Sequence, residues 1–186
     1  LFHGSSYQYK EFKQEHFIEF YTLMTDLIPC SKCAKGISIY LKKNKHLLND
    51  TMTDDDMIIW VNDLHNYVNH KLHKRQVTRK SSNAIWTNSN GNVKIEVSKY
   101  NAFIRHIVLK YFGRKKDKVI RFINVLPYIL PIRNQNITKR NRLVKYIEGH
   151  PLPYDKKDYK LLHKDQRKLL FAKWLRLFMK CYVKQN

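Results

Sequence analysis

The sequence predicts an all-α protein, and three observations carry that expectation. Apolar residues recur at three- and four-residue steps, as in Phe17, Phe20, Tyr21, Met24, Leu27 and Ile28. The breaks between patterned stretches fall on residues that end helices: Pro29, Gly113, Pro127 and the run Gly149-His150-Pro151. Alternation of the strand kind is seen at Val93, Ile95 and Val97, which reads as one short strand or as the approach to a helix.

Taken in order, Leu1 to Tyr9 holds His3, Tyr7 and Tyr9 at short helical spacing and reads as the remains of a first helix. Lys10 to Ile28 is an amphipathic helix broken by Pro29, and a second helix begins at Cys30 and runs to about Lys43. It carries Ala34, Ile37, Tyr40 and Leu41 on one side. Asn44 to Asp56 is a polar connection whose Thr53-Asp54-Asp55-Asp56 caps the next helix. That helix runs from Met57 to about His73 and buries Met57, Trp60, Val61, Leu64, Val68 and Leu72. His65, Asn69 and Leu72 fall at i, i+4 and i+7 on a neighbouring face.

Ser81-Ser82-Asn83 and Ser89-Asn90-Gly91-Asn92 are rich in turn formers, so 81–92 reads as a linker between a domain over 1–80 and another over 93–186. In the second region helices are expected over 100–112, 118–126, 138–148 and about 155–183. The last carries Leu161, Leu162, Leu169, Leu170, Trp174, Leu177, Phe178 and Met179, with Lys and Arg between them.

The 186 residues, 43% of them hydrophobic, suffice for one modest core or a core plus an appendage. No run approaches the roughly 20 apolar residues of a membrane span, and the first residues lack the regions of a secretory signal. The chain opens on Leu1, so the natural product is expected to begin upstream or to be processed. Charge is unevenly placed. Residues 1–80 hold 12 Lys and Arg against 9 Asp and Glu, and the remainder 24 against 6. Such a basic second half suits nucleic acid, through phosphate contact and stacking on its aromatics, or an acidic protein partner. The plain alternatives are the solvated face of packed amphipathic helices and the Lys-, Asn-, Ile- and Tyr-rich usage of an AT-rich genome.

Chemistry centres on Ile28-Pro29-Cys30-Ser31-Lys32-Cys33. Two thiols at this spacing close a small disulfide ring, and at a helix start the dipole lowers the pKa of the leading thiol. The pair is a redox centre or half of a metal site, and the helical approach to it counts against thioredoxin, whose pair follows a strand. A zinc site of Cys30, Cys33, His65 and His70 is the competing metal reading. The i, i+5 placement of the two histidines sets them on different helix faces and disfavours it. Cys181 stands alone beside Trp174 and Phe178, as a buried, inert thiol would.

A second signature runs from Trp60 to Lys74, with His65, Asn66, Val68, Asn69 and Leu72 inside it. Together with Pro-Cys-x-x-Cys it resembles the FAD-linked sulfhydryl oxidases of the Erv/ALR type. That family sets a Cys-x-x-Cys at a helix start and follows it with a helix bearing Trp-x-x-x-x-His-Asn-x-Val-Asn-x-x-Leu. The resemblance covers residues 1 to about 80 and implies a FAD-binding helical bundle followed here by a basic helical region. His3 and Tyr9 resemble the flavin-proximal His and Tyr of the family's first helix, although Lys10 replaces the usual proline. The structural cysteine pair of cellular members is missing, which is closer to members encoded by large DNA viruses. A viral chain would place it in host cytoplasm, nucleus or virion. The second, shuttle pair is missing too.

The resemblance implies a thiol oxidase acting on thiol-containing proteins, delivering electrons to dioxygen with hydrogen peroxide as product. Cys30 takes the attack of substrate thiolate, and Cys33 faces the flavin and passes it two electrons. His65 and Asn69 serve the adenine and ribose portion, Trp60 and Tyr9 are flat walls, Lys74 lies near the phosphates, and His3, Asn66 and Leu72 belong to the same cofactor-binding set. A homodimer through the N-terminal bundle is also implied.

Overall fold

The computed structural model describes residues 6, 14–49, 51–87, 94, 96–132, 137–155 and 157–184. Among these residues there is no strand, so the chain is all-α as the periodicity requires. It divides into two compact units, Leu1–Ile95 with Tyr128–Pro131, and Glu96–Pro127 with Ile132–Asn186. No helix among the described residues is long and apolar enough to cross a membrane.

In the first unit, α1 (Gln14–Leu27) buries Phe17, Phe20, Tyr21, Leu23, Met24 and Leu27, the stripe its spacing prescribes. Pro29 bars the preceding residue from continued helix, and α1 stops with the Ile28 N–H on the Met24 carbonyl at 3.2 Å. Helix α2 (Ser31–Asn44) crosses α3 (Asp54–Lys71) closely at Gly36. A Cβ there would lie 3.1 Å from Val68 Cγ2, so the missing side chain is what allows the approach.

Thr53 and Asp56 form a reciprocal capping box at the start of α3, with bonds of 2.9 and 3.1 Å. The Thr53 N–H first, and the Thr53 hydroxyl donating at 2.7 Å second, hold the Asp56 carboxyl below its ordinary pKa. At the other end of α3 His73 turns into the left-handed region, φ 54°, and closes the helix. Residues 79–86, partly assigned to a linker from their Ser and Asn content, instead form α4 (Arg79–Trp86). The cause is local: Thr78 Oγ1 accepts the Ser81 N–H at 3.1 Å, and Ser82 is buried beneath the helix.

The second unit holds α5 (Val97–Tyr111), α6 (Lys116–Ile129) up to Pro127, α7 (Ile137–Gly149) and α8 (Lys164–Lys184). Its core joins Ile104, Ile107 and Val108 to Val119, Phe122 and Leu126, with Phe171 and Phe178 from α8. Two expectations need correction. Pro127 does not end its helix, since a proline in the last turn removes one N–H near an end already close. Its carbonyl receives the guanidinium of the buried Arg140. The helix expected from Asp155 begins only at Lys164.

Residues Pro153–Asp155 and Lys157–Leu161 are 3₁₀ turns, pinned by Tyr154, whose ring meets Phe171 edge-on at 4.5 Å and whose hydroxyl donates to the Phe112 carbonyl. The 3₁₀ turn leaves Leu161 exposed. Cys181 is half-buried, and burial raises its thiol pKa against the opposing charges of Lys184 and Arg142.

Candidate active site

Cys30 is the N-cap of α2 and has extended backbone, φ −83° and ψ 106°. Its Sγ accepts the Cys33 N–H at 3.2 Å and is bonded to Cys33, with the two Cα atoms 5.2 Å apart. Pro29 produces this placement by ending one helix and letting the next begin at the thiols. A thiolate released at Cys30 would meet the positive end of α2 and a backbone donor. The two sulfurs differ in access: Cys30 is exposed, whereas Cys33 is half-buried and lines a cavity.

That cavity encloses about 280 Å³. Ile28, Ile37, Val61, Leu64 and Val68 give it apolar walls, and Trp86 adds an aromatic surface from α4. Its polar groups are Cys33, His65, Asn69 and Lys74, a small set on an apolar background of the kind that binds an organic cofactor. Leu72 completes the lining beside Asn69. The i, i+4 and i+7 spacing of His65, Asn69 and Leu72 therefore puts all three on the cavity side of α3. Desolvation first, and the positive charge of Lys74 second, push the His65 pKa below its ordinary value of 6.5 and favour the neutral ring. Lys74 is then the cation at this site, exposed at its edge.

A strap of chain outside the helices, residues 74–78, is tied to α3 by side-chain amides. Asn66 accepts the Val77 N–H at 2.8 Å and donates to the Val77 carbonyl at 2.9 Å, the two bonds a strand neighbour would make. Asn62 reaches the same carbonyl at 3.5 Å, and Asn69 donates to the Arg75 carbonyl at 3.3 Å. The Lys74 N–H donates to the Asn69 carbonyl at 2.9 Å. With the left-handed turn at His73, these bonds carry Lys74 back to the cavity it would otherwise leave.

Of the residues singled out from sequence, Cys33, His65, Asn69, Leu72 and Lys74 meet at the cavity, and Cys30 lies at its outer edge through the disulfide. Asn66 does not line it and holds the strap. Trp60 does not line it either. It lies in the core, with its ring 5.0 Å from Tyr21 and 5.3 Å from Tyr40, and its indole N–H on the Asn44 carbonyl at 3.2 Å. His3 and Tyr9 fall outside the described residues. Trp86 went unnoticed in the sequence, where a capping threonine eight residues before a tryptophan was the available signal. The competing zinc set loses its ligands, because Cys30 and Cys33 bond each other and His70 is exposed and away from the cavity. No cluster of His, Cys, Asp or Glu able to hold a metal occurs among the described residues.

A helix-capping disulfide with one sulfur open to solvent and the other against an apolar, cation-edged cavity is suited to thiol–disulfide exchange beside an organic group. Residues 1–87 match the model of the Erv1 / Alr family, whose members are in general flavin-linked sulfhydryl oxidases. The match closes one residue after Trp86, so α4 lies within it. No curated protein and no solved structure matches the chain.

Proposed function

We propose that this protein is a FAD-dependent thiol oxidase that forms disulfides in thiol-containing substrate proteins and delivers the electrons to dioxygen. The observation that carries the reading is the division of the Cys30–Cys33 pair between solvent and the apolar cavity. The donor set fits FAD. Apolar walls and the Trp86 ring suit a flat heteroaromatic, His65 and Asn69 supply hydrogen bonds, and Lys74 supplies a cation for the diphosphate. His3 and Tyr9 belong to the same proposal by resemblance, whereas Trp60 and Asn66 support the cavity from behind.

The chain's own part is thiol exchange. A substrate thiolate attacks Cys30 Sγ, the Cys30–Cys33 bond breaks, and Cys33 leaves as a thiolate facing the cavity. A second substrate thiolate attacks the mixed disulfide, which releases the substrate disulfide and leaves Cys30 and Cys33 reduced. The N-terminus of α2 lowers the energy of the thiolates produced on the way. FAD, when bound, supplies the acceptor for the electron pair and its passage to dioxygen, with hydrogen peroxide as product. A neutral His65 leaves Lys74 unopposed as the charge that meets an anionic cofactor.

The test is the visible spectrum of the purified protein with oxygen uptake on dithiothreitol. Bound flavin and thiol-dependent uptake are expected. Stoichiometric zinc without flavin would replace the reading with a metal-binding module. A homodimer formed by the first unit belongs to this proposal, since a short bundle buries little surface alone. Light scattering of the flavin-loaded chain is expected to give twice the 22.5 kDa of one chain, and a monomer mass would remove that part. The missing structural cysteines align the chain with the viral members.

A further inference from the structure

The second unit carries a groove that the oxidase reading leaves unused. One wall is α5, through Val97, Asn101 and Arg105, and the other is α8. Leu169, Ala172, Leu175, Met179 and Val183 of α8 form its apolar floor. Leu169 is 72% exposed and Val183 50%. The rim is cationic: Arg105, Lys173, Arg176, Lys180 and Lys184 line it, and among the described residues no lining residue is acidic. None of these five cations makes an ion pair among the described residues. Arg105 also borders a second depression lined by His106, Lys110 and Lys168, which extends the basic surface.

We infer that this groove is a docking site for an acidic amphipathic helix of a partner protein. The α8 floor from Leu169 to Val183 spans about 21 Å at the helical rise, enough for some four turns of a partner helix. Such a helix would bury an i, i+3, i+4, i+7 stripe on the floor and set its Asp and Glu against the rim, the helix-in-groove mode with complementary charge. Nucleic acid fits less well. Among the described residues no aromatic lines the groove to stack a base, and a phosphate backbone has nothing to bury on Leu169 and Val183. This inference rests on the second unit alone and is independent of the oxidase chemistry.

The full chain is titrated with a fluorescent acidic peptide of about 16 residues, with leucines at helical spacing and glutamates elsewhere. A scrambled peptide of the same composition and a single-stranded oligonucleotide serve as controls. At moderate salt the patterned peptide is expected to bind roughly tenfold tighter than the scrambled one. The double variant Leu169→Ser/Val183→Ser, changed at exposed positions, should lose about tenfold with unchanged helix content. Lys173→Glu/Lys180→Glu should lose a similar factor and reduce the salt dependence. Equal binding of patterned and scrambled peptides, no binding at low salt, or tighter binding of the oligonucleotide with no effect of the Leu169/Val183 change would each overturn the inference.

Discussion

The two units bury similar aromatic cores and use their polar side chains in opposite ways. In the first, Asn62, Asn66, Asn69 and His65 are turned toward the strap and the cavity, and the cation Lys74 is brought back to that site by backbone bonds. In the second, the groove-lining cations Arg105, Lys173, Arg176, Lys180 and Lys184 stand around an apolar groove with no anionic partner among the described residues. Asn66, half-buried and doubly bonded, shapes a site from within. An exposed, unpaired cation acts only on what arrives from outside. Substitutions in the first unit should therefore change chemistry and stability together, and neutralising the α8 cations should change neither.

The largest effect is expected at the disulfide. Cys30→Ser removes the sulfur that substrate can reach, so thiol-dependent oxygen uptake should fall at least ~100-fold with the fold intact by circular dichroism. Next is the strap. Asn66→Ala deletes both bonds to Val77, leaving its N–H without a side-chain partner and its carbonyl with only the long bond from Asn62, a loss of about 1–3 kcal/mol in urea unfolding. Flavin should wash out of this variant more readily than from the parent, because Lys74 is no longer held. Gly36→Val would drive a branched side chain into Val68 across the α2–α3 crossing and should cost about 1–3 kcal/mol. An Asn66→Ala protein with parental stability would mean that the polar residues of the first unit are as superficial as those of the second.

The smallest effect is the pH response of His65. Its pKa is lowered in the folded protein, so between that value and 6.5 the unfolded chain binds more protons. Stability from this group is present above pH 6.5 and is lost as pH falls toward the folded pKa, below which the loss levels off. His65→Gln should flatten that part of the stability profile. Lys74→Gln should move the ring's titration, followed by NMR, back toward its ordinary value.

Much of the first unit was legible in sequence because short-range spacing decides it. The helix-opening position of Cys30 follows from Pro29, and the shared face of His65, Asn69 and Leu72 follows from 3.6 residues per turn. Trp60 is five residues before His65, which turns it well away from that face and into the Tyr21–Tyr40 core. The motif hid this, whereas periodicity alone would have warned of it. The strap was not legible, since nothing local says that an Asn on α3 will pair with a backbone eleven residues on. Trp86 was lost inside a Ser- and Asn-rich stretch, where the cap at Thr78 outweighed weak helix formers. In the second unit Pro127 and residues 155–163 misled for opposite reasons. A proline near a helix end is tolerated, and an apolar, Lys-rich run is helical only if tertiary contacts such as Tyr154 on Phe171 permit it.

The central claim is that Cys33 faces the redox group inside the cavity while Cys30 faces the substrate. Its most direct test is anaerobic addition of dithiothreitol to the flavin-loaded protein, followed by visible absorbance. The parent should bleach, and Cys33→Ser should retain its flavin yet stay oxidised over the same time. Bleaching of Cys33→Ser at the parental rate would contradict the account, because the electrons would then be reaching the flavin without the disulfide.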